Sequence, residues 1–318
     1  MIGYSVEKEY QGMLDAYEKA GGDRSALLSR DVARLVIHEN KVLSADEVTG
    51  ITIETKETET GVNIYFLVKE GVRIQRPVHL CFGILPQEGR QEITLKVKAQ
   101  DNSEVNVIAH CIFPNAVKVV HKMDAEIEIG NNAKFNYKET HYHGDSGGIE
   151  VIPRASVTLG EKALYKNTFS LTQGCVGKLD FDYEIFSGAG SVAELIAKVY
   201  GKKDDIIKIA EKVNLNGNSA RSLMKTRVVL RDRARAEVIG ETYGNAPYAR
   251  GHVDCIELVN GTEAVAKAIP IVSVTNDKAK VTHEAAIGSI DIRQIETLMA
   301  RGLDENEAVD VIVRGLLR

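Results

Sequence analysis

The sequence predicts a mainly β chain: a right-handed parallel β-helix (solenoid) with short helical segments at its N-terminus and an αα-hairpin at its C-terminus. Three observations carry this expectation. Turn-forming clusters recur about every 13 to 16 residues through most of the chain. The segments between them alternate polar and apolar positions and are rich in β-branched residues. Helical periodicity is confined to the two ends.

The first element is an N-terminal helical segment, residues 1–48. Tyr4, Tyr10, Met13, Leu14 and Tyr17 fall at helical spacing before Gly21-Gly22 breaks the run. The spacing predicts helices over 4–19 and over 26–38, the second within "RSALLSRDVARLVIHEN".

The β-helix core follows over 49–288. "GITIETKETETGVNIYFLV", "EITLKVKA" and "SEVNVIAHCIF" read as strands. Clusters such as Asp101-Asn102, Pro114-Asn115, Gly130-Asn131-Asn132, Gly144-Asp145, Asn216-Gly217-Asn218 and Asn260-Gly261 punctuate them. Each is followed by a similar phrase, as in "NNAKFNYKET" and "DRARAEVIG". A period near 14–15 suits one coil, or half a coil, of a solenoid. A β-sandwich would place its turns every 8–12 residues or so. Parallel crossovers within one sheet prefer the right hand.

The last element, 289–318, is a helical hairpin. Ile292, Ile295, Leu298 and Met299 share one face of the first helix, and Gly302 stops it. Asp304 with Glu307 forms a capping-box pattern for the second helix, whose apolar face holds Ala308, Val311, Ile312 and Leu316. Such a hairpin is expected to cap the solenoid core and to offer its outer face to a partner.

Composition narrows the function. The chain has 318 residues and a net charge of −5, which gives no electrostatic case for nucleic acid or membrane binding. The polar, amphipathic start lacks a signal-peptide pattern, and no apolar run reaches membrane-spanning length. A cytoplasmic location is expected. Four cysteines at 81, 111, 175 and 255 stand far apart without a C-x-x-C, which argues against a disulfide framework and against a self-contained zinc or four-cysteine cluster site. There is no phosphate-binding G-x-x-x-x-G-K-[ST] and no G-x-S-x-G nucleophile elbow. Asp180, Asp182 and Glu184 alternate on a solvated face, as does much of the basic run from Arg221 to Arg235.

Three clusters hold ligand-type side chains: His141 with His143, two apart; His252, Asp254 and Cys255; and His283 with Glu284. The last is not a helical zinc-protease motif, because Ile287 stands where the second histidine belongs. Cys255 and His283 are 28 residues apart, two repeat units. If each unit is a full coil, their backbones lie roughly 10 Å apart; if it is half a coil, they sit on adjacent coils and can share a metal. Thiolate, imidazole and carboxylate together suit iron.

Residues 250–317, "RGHVDCIELVNG…VTHEAAIGSIDIRQIETLMARGLDENEAVDVIVRGLL", resemble the C-terminal part of the SufB/SufD family, scaffold components of the SUF iron–sulfur cluster assembly system. The shared pattern is a cysteine in an apolar strand, a polar turn, V-x-H-E-A, and the acidic "AVDVIVRG" helix. The resemblance implies a right-handed β-helix, a homodimer or paralogue heterodimer, and docking of a SufC-like ABC ATPase on the C-terminal helices. It implies sulfur-donor and cluster-acceptor proteins as further partners. By this resemblance Cys255, His283 and Glu284 hold the iron of a transient cluster; His252, His141, His143 and Cys175 are weaker candidates. Cys255 makes the chain SufB-like, and the protein a scaffold rather than an enzyme. A SufD-like structural subunit without its own cluster is the alternative, and a β-helix enzyme acting on polysaccharide a remoter one. One departure stands out. SufB carries a further, sulfur-accepting cysteine inside the β-helix. The stretch matched to it here, "YKETHYHGD", has only Thr140 and His141, leaving Cys175 and Cys111 as substitutes.

Overall fold

The computed structural model describes residues 2–317; the side chains of residues 2–6, Tyr4 among them, lie outside the described part. Two helices open the chain, α1 (Ile2–Lys19) and α2 (Arg24–Leu28). Two hairpins follow: β1 (Arg34–His38) with β2 (Lys41–Asp46), and β3 (Ile51–Glu57) with β4 (Gly61–Val68), both antiparallel. The expected helix over 26–38 is therefore corrected. It ends at Leu28, because "RLVIH" is β-branched, buried, and paired with strands on both sides.

From here every pairing is parallel. The strands are β5 (Val78–Gly83), β6 (Glu88–Ala99), β7 (Glu104–Phe113), β8 (Lys118–Ile129), β9 (Lys134–His143), β10 (Ile149–Leu159), β11 (Leu164–Gln173) and β12 (Gly177–Ser187). They continue as β13 (Val192–Gly201), β14 (Ile206–Leu215), β15 (Arg221–Arg231), β16 (Arg235–Gly244), β17 (Arg250–Asn260), β18 (Val265–Val274) and β19 (Lys280–Ser289). Successive strands enter opposite sheets, one of ten strands ending in β19 and one of nine ending in β18. The result is a β-solenoid of about eight turns. Val119 pairs with Ile149, and Ile149 with Gly177, so one coil takes 28 to 30 residues. The unit legible in the sequence is half a coil.

Alternate residues point into the lumen, where rows such as Leu195, Ala197 and Val199 meet Ile207, Ile209 and Val213 from the other sheet. Each leucine, isoleucine or valine among them contributes about 1.5–3 kcal/mol on burial. Coils are tied at their corners. Asn102, Asn132, Lys162, Gly190, Ser219 and Tyr248 occupy the same corner with φ between 54° and 64°. Each of the first three donates its N–H to the next coil's carbonyl at 2.8 Å. Gly148 has no room for a side chain, since a Cβ would lie 1.9 Å from the Val117 carbonyl oxygen. Gly148→Ala is expected to cost on the order of 3 kcal/mol, read as a lowered melting temperature.

Both helical ends pack on the outer face of the ten-stranded sheet. Met13, Leu14 and Tyr17 of α1 cover Val36, Cys81 and Ile112. The C-terminal pair, α3 (Ile292–Met299) and α4 (Glu305–Leu316), sets Ile295, Ala308, Val309 and Val313 against Tyr200 and Val229. The Asp304–Glu307 capping box forms, and Gly302 turns with φ 97°. The hairpin does not cap the solenoid. The outward apolar residues of β13 and β15 give it a landing strip on the flank, and the last coil stays bare. Its Val272, Val274 and Ile287 are 43%, 46% and 51% exposed.

Candidate metal centre

Strand alternation decides which candidates meet. On β17, Val253, Cys255 and Glu257 face the lumen, while His252 and Asp254 face out. The register sets His283 on Val253, Glu284 on Asp254 and Ala285 on Cys255. His283 therefore turns inward and Glu284 outward. Cys255 and His283 are diagonal neighbours on adjacent strands, about 7–8 Å apart in the backbone. Two side chains can bridge that span to one ion.

Gly240 on β16 faces the pair, and a Cβ there would sit in ordinary contact, 3.4 Å from Val253 Cγ1 and 3.9 Å from His283 Cε1. Both ring nitrogens of His283 are buried without a hydrogen-bond partner. Buried donors and acceptors normally find partners, so the two idle nitrogens make His283 a candidate ligand. Burial pushes its pKa down, with His252 adding to this, so the ring is neutral at neutral pH. Cys255 is 3% exposed. Burial, with Glu211 and Glu257 behind it, pushes its thiol up to about 12. A bound cation must displace that proton.

Beneath Cys255 lies Thr226, whose hydroxyl donates to Glu211 Oε2 at 3.0 Å. Burial raises Glu211 to about 7, against the pull of that hydrogen bond, and burial raises Glu257 to about 7 as well. Sequence reasoning missed both. The available signal was a glutamate breaking the apolar alternation Ile207, Ile209, Glu211, Val213, Leu215. Glu211 has a titration consequence. Its folded pKa exceeds the ordinary carboxylate value of 4.5. Its contribution is fully present below that value and is lost as pH rises through about 7. The loss amounts to about 3 kcal/mol. Glu211→Gln should flatten the fall of melting temperature between about pH 5 and 7.

The other candidates lie elsewhere. His252 sits on the outer face, its Nδ1 2.8 Å from Thr282 Oγ1. His141 and His143 are buried in the lumen four coils away, roughly 19 Å along the axis. Cys175 is at a solenoid corner, its N–H donating to the Gly144 carbonyl at 3.0 Å. Part of the basic run is covered: Arg227 pairs with Asp254 at 2.5 Å and is buried. Asp180 and Glu184 form surface ion pairs, as expected of a solvated face.

Residues 86–316 match the family described as SUF system FeS cluster assembly, SufBD core domain. The chain belongs to the SufBD family. The match spans β6 through α4, and so includes Cys255, His283 and the hairpin. Curated relatives extend it to the N-terminal helices. An iron–sulfur cluster assembly SufBD family protein of Methanocaldococcus jannaschii is 37% identical over 98% of this chain and 99% of its own length. One of Pyrococcus horikoshii is 38% identical over 98% of this chain and 94% of its own. A relative in Staphylococcus epidermidis is 24% identical over 80% of this chain and 54% of its own. This SufBD protein is thus an iron–sulfur cluster assembly component, and none of its described helices is long and apolar enough to cross a membrane.

Proposed function

We propose that this SufBD protein is a non-enzymatic, cytoplasmic scaffold that receives a nascent iron–sulfur cluster as cargo at the open end of its solenoid. The observation that carries the reading is the inward turn of Cys255 and His283 on the last two strands of the longer sheet, at the end no helix covers. Thiolate and imidazole are a donor set suited to iron. The presence of Cys255 makes the site SufB-like.

The same end is the proposed dimer interface. Strands β18 and β19 each have an unpaired edge, and Val272, Val274 and Ile287 are bare beside them. A second chain set against this end, either a copy or a paralogue, buries the apolar residues and closes water off from the cluster. In this reading Glu284, outward at the rim, serves the partner's side of the site, and His283 meets the partner's cysteine.

The α3–α4 hairpin is the proposed dock for an ABC-type ATPase. Ile292, Met299 and Val311 are exposed on it, and the chain has no phosphate-binding loop of its own. Sulfur donors and cluster acceptors complete the cycle. The test is anaerobic reconstitution with ferrous iron and sulfide, followed by iron and sulfide analysis per chain. A bound, oxygen-labile cluster is expected. No sulfide above background, whatever the iron content, would overturn the scaffold reading and leave a SufD-like structural subunit.

A further inference from the structure

Midway along the lumen a second set of ligand-type side chains converges. Cys111 on β7 pairs directly with His141 on β9, one coil away, and Glu139 lies two residues before His141 on the same inward face. A neighbouring strand at about 4.8 Å and a two-residue step along one strand bring three such side chains to one point. Their ligand atoms all lie within 4.8 Å of one another. Glu139 Oε1 is 2.7 Å from His141 Nε2 and 3.7 Å from Cys111 Sγ. All three residues are buried.

The surroundings are those of a ligand set. The other ring nitrogen of His141, Nδ1, lies 3.2 Å from His143 Nε2. In the metal-free state His141 Nε2–H donates to Glu139; a metal bound at Nε2 displaces that proton, and Nδ1 then donates to His143, as metal-bound histidines do to their outer partners. Glu139 Oε2 is buried with no hydrogen-bond partner. The rings of Phe113 and Phe169 wall the group, at 6.4 Å and 4.9 Å from the His141 ring. The Tyr137 hydroxyl, itself without a hydrogen-bond partner, and His121 are the other polar groups near it, and a buried carboxylate with an idle oxygen is costly unless a donor or a charge meets it.

We propose that Cys111, Glu139 and His141 form an internal site for one divalent metal ion, zinc or ferrous iron. Thiolate and carboxylate together neutralise the cation, and the thiol proton leaves to solvent on binding. Bonds of about 2.0–2.3 Å to four-coordinate zinc separate ligand atoms by roughly 3.2–3.8 Å. The Cys111–Glu139 spacing already fits, and the Glu139–His141 contact opens by about half an ångström. Three protein donors leave a fourth position for water or a small ligand. The site lies four to five coils from Cys255, roughly 19–24 Å away, and does not depend on it.

The test uses Cys255→Ser as the parent protein, so that metal held near Cys255 cannot contribute. The protein is produced in zinc-poor, cobalt-supplemented medium, and its metal content and absorption spectrum are measured. One Co2+ per chain is expected, with a near-ultraviolet thiolate-to-cobalt band and visible bands of a four-coordinate ion. Adding Cys111→Ser should remove the thiolate band, and adding His141→Gln should lower bound Co2+ at least tenfold. Cys111→Ala, which keeps the wall apolar, stands in if the serine variant fails to fold by circular dichroism. A parent protein with neither Co2+ nor Zn2+, or a thiolate band that survives loss of Cys111, overturns the site and leaves Glu139 and His141 as a buried hydrogen-bonded pair.

Discussion

Cys255→Ser is expected to yield a folded protein that takes up no cluster. The hydroxyl replaces a thiol of nearly the same size, in a lumen where the Thr226 hydroxyl and the Glu211 carboxyl offer hydrogen bonds. Its stability cost should stay near 1 kcal/mol. The chemical cost is far larger, because a neutral serine hydroxyl does not replace a thiolate as a ligand for iron. Sulfide after anaerobic reconstitution should fall at least tenfold, while iron at the proposed internal site stays. His283→Ala should weaken retention less, since the sulfur ligand remains. Wild-type sulfide in the Cys255→Ser protein would place the cluster elsewhere.

Val272→Asp with Ile287→Asp should turn a dimer into a folded monomer. Both positions are exposed in the single chain, at 43% and 51%, so the carboxylates stay solvated there and the fold loses little. In a dimer they become buried, unpaired charges that cost several kcal/mol. Each 1.4 kcal/mol is tenfold in affinity, so the dissociation constant should rise by about a thousandfold or more. Light scattering across a concentration series reads this directly. A double variant that stays dimeric, or a wild-type chain monomeric throughout, would remove the open end as the interface.

Much of the fold is legible in the sequence because one rule repeats. Alternation and corner residues mark every half coil, and the Asp304–Glu307 box marks the last helix. Other features depend on neighbours far along the chain. Full and half coils share the same alternation, and only the register of Val119 with Ile149 separates them. The flank position of the hairpin depends on Tyr200 and Val229, outward residues 29 apart that become neighbours once a coil is known to take 28 to 30 residues. His141 has no third ligand nearby in sequence, yet Cys111 is one coil back. Residues 34–38 failed as a helix because the partners that make them a strand lie at Cys81 and Ser44. At the candidate centre, alternation alone separates His283 from Glu284, which a linear reading takes as a pair.

The two ends of the solenoid differ in how they finish, and this bears on how far assembly can run. At the start, antiparallel hairpins turn the chain back, and the outermost strands β2 and β3 carry exposed Lys41, Glu54, Lys56 and Glu57. The flat outer side of the nine-stranded sheet carries cross-coil pairs such as Lys96–Glu126, Lys98–Glu128 and Lys267–Glu237. Charged edges and charged faces resist adhesion between sheets. A parallel solenoid that was sticky at both ends would add copies head to tail into a fibre, because such contacts never close. If the open end is the interface proposed above, copies join only by matching adhesive ends about a two-fold axis, and growth stops at two.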